Sequence, residues 1–481
     1  MIYGITDGMV MQRDQNNRCK ILIKTDEPIK QLACFDEHDN PVAVYFTDGL
    51  LTGIPVGGPY TVRINDVFYN DIYVGDLWIL AGQSNMEGNG ILTERDYTYK
   101  DNPQIRAFYM NDQWKAARNP LHHTGRAKDT VHTKIYHALD QPKGVGAGPG
   151  LSFACKMFAY TNVPQGLIPC AHGGTIQEHW TPDTRDNGGE LSLYGAMYRR
   201  FQVNGSNVRG ILWYQGCNDG ENFREQYYTE RCTYLFNCMR RDFGSLQPKE
   251  SILPIVQVQI GRWTDEFTQE GEEHDRCWTS IRRQQLEIGA ALPCVDTLAT
   301  IAYRTDDHVH LTGDSQWNLG EKAAEAMFHL IAPGEAGLVD ALPGIKIGSV
   351  TLQELPVYRD YTEVVIEVLN CHGPLKAYPR AMGFVLAKAP DCIETWRRPY
   401  DAFTEGNKIH VRFRMRPEEL CGFCLYYGYG CDPDCNITDS RGNPVPCFGP
   451  VRIDDYRDTL KKSECPCELP DIWMPPKPED D

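Results

Sequence analysis

Five short apolar runs constrain this chain most: LWILA at 77–81, GLIPCA at 166–171, ILWYQ at 211–215, PIVQVQI at 254–260 and TLATIA at 297–302. Each is a continuous hydrophobic block rather than an in–out alternation, which is what a parallel sheet covered on both faces requires. Between them lie segments with helical periodicity, GLSFACKMFAY, FREQYYTERCTYLFNCMRRDF and DRCWTSIRRQQLEIGA. A last one, DSQWNLGEKAAEAMFHLI, gathers Trp317, Ala324, Met327, Phe328 and Ile331 on one face. Strand–helix alternation with right-handed crossovers predicts an open α/β sheet over residues 76–335.

Shorter strand patterns flank this region. Residues 1–75 read as an all-β module (CKILIKT, PVAVYFT, PYTVRIND, VFYNDIYV) and residues 336–460 as a second one (TEVVIEVL, AMGFVLAK, KIHVRFRM, GFCLYYGYG). The segment 461–481 is rich in proline and acidic residues, a composition that favours loose order.

The formal charge of −17 argues against a nucleic-acid partner or an anionic membrane surface, both of which call for a basic stripe. No apolar run is long enough to span a bilayer. The start, MIYGITDGMVMQRD, lacks the charged and apolar regions of a signal peptide. The expectation is a cytoplasmic protein, the alternative a secreted one whose signal peptide has been removed. Most of the 18 cysteines stand singly in apolar settings, as buried thiols do in a reduced protein. Cys421, Cys424, Cys431 and Cys435 loosely suit zinc, but their middle gap is short and the segment reads as a strand pair.

Ligands of open α/β sheets bind outside the carboxyl ends of the strands. Those ends are Gly82-Gln83-Ser84-Asn85, His172-Gly173-Gly174-Thr175, Gln215-Gly216-Cys217-Asn218-Asp219 and Asp306-Asp307-His308-Val309-His310. Acyl transfer needs a hydroxyl nucleophile, an imidazole to take its proton and a carboxylate to orient that imidazole. Ser84, His310 and Asp307 can fill these roles. The oxyanion needs preorganised donors, for which Gly174 N–H and the Gln215 amide qualify. His308 and Asp306 compete with His310 and Asp307, and Gly173 competes with its neighbour. His122, His123, His132 and His137 lack the helical spacing with a carboxylate of a metalloprotease and read as surface or pocket-rim residues. Glu178 and Trp180, just after the GGT turn, either line a sugar site or pack under a loop.

The blocks GQSNM, GGT, WYQG and D-x-x-H-L-T resemble those of SGNH hydrolases, above all carbohydrate esterases of the sialate O-acetylesterase and acetylxylan-esterase types. GMVMQRD, GGPYTVRI, VGDLWILAGQSNME and YGYGCDPDCNITDSRGNPVPCF resemble sialate O-acetylesterases along nearly the whole chain, and GPGLSFACKM resembles both groups. The resemblance implies a flavodoxin-like SGNH domain and a serine esterase releasing acetate from an O-acetylated mono- or oligosaccharide. The expected substrate is 9-O-acetyl sialic acid, with acetylxylan or acetylmannan oligosaccharides as the alternative. It implies Ser84 as nucleophile, His310 as base, Asp307 as its orienting acid, and Ser84 N–H, Gly174 N–H and the Gln215 amide as oxyanion hole. Neither metal nor cofactor is implied. One departure stands out. Cys217 occupies a position where many relatives carry Glu, so that any role of that carboxylate is lost or falls to Asp219. Two other classes remain in play: a metal-dependent hydrolase using Asp306, Asp307, His308 and His310, and a non-catalytic carbohydrate-binding protein with a dead centre. The β modules read equally as supports, binding modules or surfaces of a homo-oligomer.

Overall fold

A computed structural model describes residues 2–136, 146–248, 250–264, 271–355, 360–388, 397–453 and 461–462. The expected loose tail therefore lies, beyond residue 462, outside the described residues, as does His137.

The central sheet is built from β1 (Val67–Gly82), β2 (Ile105–Phe108), β3 (Trp114–Ala116), β4 (Gln165–Pro169), β5 (Gly210–Tyr214), β6 (Ile255–Val258) and β7 (Val295–Leu298). Its spatial order is β3-β2-β4-β1-β5-β6-β7. All neighbours are parallel except the β2–β3 hairpin. Every residue of β4 to β7 is buried, which accounts for the uninterrupted apolar runs. From β1 the chain moves to one side, through β2 to β4, and then returns to β5 on the other side of β1. The crevice between the carboxyl ends of β1 and β5 is therefore the topological switch point, where open α/β sheets bind ligands.

The helices that bear on the sheet and its carboxyl edge include α1 (Ser84–Glu87), α2 (Gly150–Thr161), α3 (Leu193–Val203), α4 (Cys217–Glu221), α5 (Glu225–Phe243), α6 (Gly271–Ala291) and α7 (Gly313–Ile331). Helix α2 packs on α7 and α5 on α6. The one-residue frame of the long helices follows the sequence pattern closely, with Ala324, Met327 and Phe328 buried as the α7 periodicity predicts. Helix α3 had no counterpart in the sequence reading. Among the described residues no helix is long and apolar enough to cross a membrane.

β1 runs without a break through the expected 75/76 boundary. Its first half pairs with Val10–Gln12 and Gly57–Ile64, so the N-terminal strands extend the central sheet, and one hydrophobic core runs from Ile5 to Ala341. The residues at that boundary are fixed. Asp76 is wholly buried and accepts from Arg13 Nη2 at 2.8 Å and Nε at 2.9 Å.

The C-terminal β region has its own core, around Val364, Ile366, Ile409, Val411 and Tyr427. It comprises a five-stranded sheet and a three-stranded one. Arg282 of α6 holds it to the central domain. This fully buried guanidinium donates to the carbonyls of Gly428 at 3.2 Å, Gly430 at 2.5 Å and Cys431 at 3.0 Å, and to Ile260 on the sheet side. Of CGFCLYYGYGCDPDC, only Cys424–Tyr427 is strand, instead of the expected strand pair.

Candidate active site

Ser84 opens α1 immediately after β1 ends at Gly82. A Cβ at Gly82 would lie 2.2 Å from Tyr214 O, and φ there is +133°, so only glycine lets the strand turn this close to β5. The turn is stitched to both neighbouring strand ends: Gln83 N–H donates to Tyr214 O at 2.8 Å, and His172 N–H to Gly82 O at 3.0 Å. The Gln83 side chain accepts from Gly216 N–H at 2.9 Å and donates to Asn218 Oδ1 at 2.9 Å. Gln83 and Asn85 are each 1% exposed, whereas Ser84 between them keeps 9%. The serine is the member of the turn that retains a face toward the outside.

Asn85 ties this turn to the loop after β7. Its Nδ2 donates to Val309 O at 3.1 Å and its Oδ1 accepts Leu311 N–H at 2.9 Å, so both neighbours of His310 are held from the residue beside Ser84. Gln316 Nε2 from α7 braces Asn85 in turn, donating to its carbonyl at 3.0 Å and its Oδ1 at 3.1 Å.

Within that loop the two sequence alternatives separate. His310 Nδ1 lies 2.6 Å from Asp307 Oδ2, while Asp307 Oδ1 accepts the backbone N–H groups of Val309 and His310 at 2.8 and 2.7 Å. Partial burial would raise the Asp307 pKa, but these bonds outweigh it and hold the carboxyl below its ordinary value. Asp306 points elsewhere and accepts Ile91 N–H at 2.7 Å. His308 is exposed, and its carbonyl receives Thr264 N–H. A His–Asp contact through Nδ1 fixes the tautomer and leaves Nε2 as the basic nitrogen.

The GGT block separates its two glycines as well. Gly173 N–H is spent on Glu87 Oε2 at 2.8 Å. Gly174 is exposed, with φ +68° and open space where a Cβ would stand, and among the described residues its N–H donates to no protein acceptor. The Ser84 N–H, first in its helical turn, is likewise uncommitted among the described residues. Two donors thus remain for an oxyanion.

Gln215 is a correction. The side chain is wholly buried, and its amide donates to Thr175 O at 2.9 Å and Asp219 Oδ2 at 2.5 Å, which uses both N–H bonds. It supports the GGT loop from behind rather than facing an oxyanion. Asp219 accepts Gln177 N–H as well, and burial raises its pKa to about 6 despite those donors. Cys217 is buried, and burial pushes its thiol up to about 12, so it serves as a small packing residue.

Trp180 is a second correction. It is fully buried, edge-on to Trp213 at 5.1 Å, and offers no face for a sugar. Glu178 does lie at the surface, between Arg224 and Arg231, each at 2.7 Å. The histidines expected at the surface or rim also differ. His122 and His132 are buried with His172, and His132 Nδ1 lies 2.9 Å from His172 Nδ1. Burial pushes the pKa of His122 and His172 down to about 3 and that of His132 well below its ordinary value, so all three are neutral. Among the described residues no three His, Cys, Asp or Glu side chains form a metal-binding group, which covers Cys421, Cys424, Cys431 and Cys435 and the Asp306–His310 loop.

Sequence reasoning passed over Gln83, Asn85 and Glu87. Glu87 could have been found, since it follows Ser84 by three residues and so shares a face of one helical turn.

Residues 74–329 match the family model described as carbohydrate esterase, sialic acid-specific acetylesterase. A probable carbohydrate esterase from Arabidopsis thaliana is 26% identical over 273 residues, which is 52% of this chain and 89% of that protein. The crystal structure of a carbohydrate acetylesterase from Xanthomonas citri superposes with a TM-score of 0.66 at 23% identity, covering 93% of this chain and 98% of that one. The parallel-sheet domain and its flanking β regions thus share the fold of that acetylesterase.

Proposed function

The chain belongs to the sialic acid-specific acetylesterase family of carbohydrate esterases, and we propose that it removes O-acetyl groups from sialic acid by serine chemistry at Ser84. The observation that carries the proposal is the junction at Asn85, which holds the turn bearing Ser84 against both neighbours of a histidine paired to Asp307 at 2.6 Å.

In this reading Ser84 Oγ attacks the acetyl carbonyl carbon while His310 Nε2 accepts the hydroxyl proton, and Asp307 supports the imidazolium. The carbonyl oxygen becomes an alkoxide facing the Ser84 and Gly174 N–H groups. Its collapse breaks the bond to the sugar oxygen, which takes the proton back from His310. Water then adds to the acetyl-serine by the same path, acetate leaves, and Ser84 is regenerated. His310 takes one proton and returns it in each half-reaction, and the acetic acid so formed ionises in solution, so the reaction balances with water as the sole co-reactant.

The family description supports sialic acid as the substrate. The test is acetate release from 9-O-acetylated sialic acid beside acetylated xylan and mannan oligosaccharides, with Ser84→Ala as the blank. Serine-dependent turnover confined to sialic acid is the expected result. Turnover of the plant oligosaccharides instead would keep the chemistry and overturn the substrate.

A further inference from the structure

Two consecutive glycines make the most yielding backbone a protein can offer, yet Gly174 N–H can stabilise an oxyanion only if it is held in place beforehand. The loop is pinned at four points. His172 N–H bonds Gly82 O, the Thr175 hydroxyl bonds His172 O, Gln215 bonds Thr175 O, and Gly173 N–H bonds Glu87. The last pin differs from the others because it is a side chain of α1, the helical turn that Ser84 opens.

Glu87 is 1% exposed. Its Oε2 accepts Gly173 N–H at 2.8 Å and its Oε1 accepts the Thr124 hydroxyl at 3.0 Å. A Cβ on Gly173 would stand 2.6 Å from Glu87 Oε2 and 3.4 Å from Ser84 Cβ, so this glycine is wedged between the two side chains of one helical turn. A carboxylate is a stronger acceptor for a backbone N–H than a neutral group. We infer that Glu87 is a positioning residue for catalysis: by gripping Gly173 N–H it sets the distance between Ser84 Oγ and the Gly174 N–H, so that nucleophile and oxyanion donor move as one body. The inference rests on Ser84 being the nucleophile. Thr124 belongs to the same device, since its hydroxyl fixes the rotamer of Glu87.

The test compares kcat and KM for p-nitrophenyl acetate in the parent, Glu87→Met, Glu87→Gln, Thr124→Val and Ser84→Ala. Methionine keeps the length and removes the acceptor, and its kcat is expected to fall about 10²-fold, the loss typical of a displaced oxyanion donor, with KM within about threefold. Glutamine keeps an acceptor for Gly173 and is expected to stay within about fivefold of the parent. Thr124→Val, which decides the matter should Glu87→Met not fold, is expected to lower kcat about tenfold at unchanged KM. Parent-like kcat in folded Glu87→Met, or in Thr124→Val where that variant is the only one available, would overturn the inference. Undiminished turnover by Ser84→Ala would instead overturn the serine-esterase reading beneath it, so the two failures are distinguishable.

Discussion

Asn85 Oδ1 and Leu311 N–H are joined at 2.9 Å across 226 residues of chain, and this bond brings the turn bearing Ser84 and the histidine loop into register. The same side chain donates to Val309 O, so it grips His310 from both sides. Asn85→Ala leaves the buried Leu311 N–H without its acceptor, a loss expected to cost about 1–3 kcal/mol of stability. It also frees the histidine loop, and turnover is expected to fall about 10²-fold at saturating substrate. Urea unfolding and acetate release measure the two effects, and parent-like turnover would show that the two loops are aligned by other contacts.

Gln215 distinguishes an oxyanion donor from a brace. A donor in the hole would lose about 10²-fold or more in kcat on truncation, with the fold intact. A brace loses stability, because Thr175 O, Asp219 and the Gln177 amide are left buried and short of partners. Gln215→Ala is therefore expected to lose about 1–3 kcal/mol in urea unfolding. A large fall in kcat at parent-like stability would return Gln215 to the oxyanion hole.

The pH dependence of stability has two components of opposite sign. His122, His132 and His172 have folded pKa values far below 6.5, so the unfolded chain binds more protons below that value. Their contribution is complete above about pH 6.5 and is lost as pH falls toward 3, by about 1.4 kcal/mol per proton per pH unit. Asp219, raised to about 6, works in the other direction, and the fold loses stability as pH rises from about 4 to 6. Burial lowers the pKa of His123 and His179 as well, so the histidine side outweighs Asp219 and net acid destabilisation is expected between pH 6 and 5. His122→Leu is expected to flatten that slope by about one proton. An unchanged slope in urea unfolding would contradict the neutral buried state.

Asp219→Asn isolates the opposing component. The cost of ionising a buried carboxyl disappears in the variant, so its stability relative to the parent is expected to improve between pH 4 and 6 by up to about 3 kcal/mol. A difference constant over that range would mean that Asp219 titrates as an ordinary carboxylate.

Asp307 is held ionised below the ordinary carboxylate range by His310 and two backbone N–H groups. Asp307→Asn keeps the shape but removes the charge that would support an imidazolium, and kcat is expected to fall by about 10²-fold or more. Asp306→Asn, at the carboxylate bonded to Ile91 N–H, is expected to stay within about threefold in kcat. The reverse ranking would exchange the two assignments.

The strand ends were legible in the sequence because a doubly covered parallel sheet writes itself as apolar runs, each ending in the residues that reach the crevice. Ser84 follows the end of β1, Gly174 follows β4, and His310 pairs with Asp307 in the loop after β7. Which polar groups face the crevice was not legible. Gln215 and Trp180 follow strand ends as a donor and a sugar platform would, yet Asp219 and Trp213 behind them draw both side chains inward. His122 and His132 misled for a related reason: imidazoles in a polar segment read as surface, and only the tertiary fold stacks His132 on His172 in the interior. The continuity of β1 through residue 75 was not legible either, because its reasons lie in tertiary contacts. Gly75 is there because a Cβ would clash with Pro164 O at 1.9 Å, and Asp76 because Arg13 is its buried partner.

Whether Ser84 carries the acetyl group is tested by acetate released from 9-O-acetylated sialic acid by the parent and by Ser84→Ala at equal concentration. Steady release by the parent is expected, and none above the uncatalysed rate by the alanine variant, with both chains unfolding at the same urea concentration. Undiminished release by Ser84→Ala would contradict that role for Ser84.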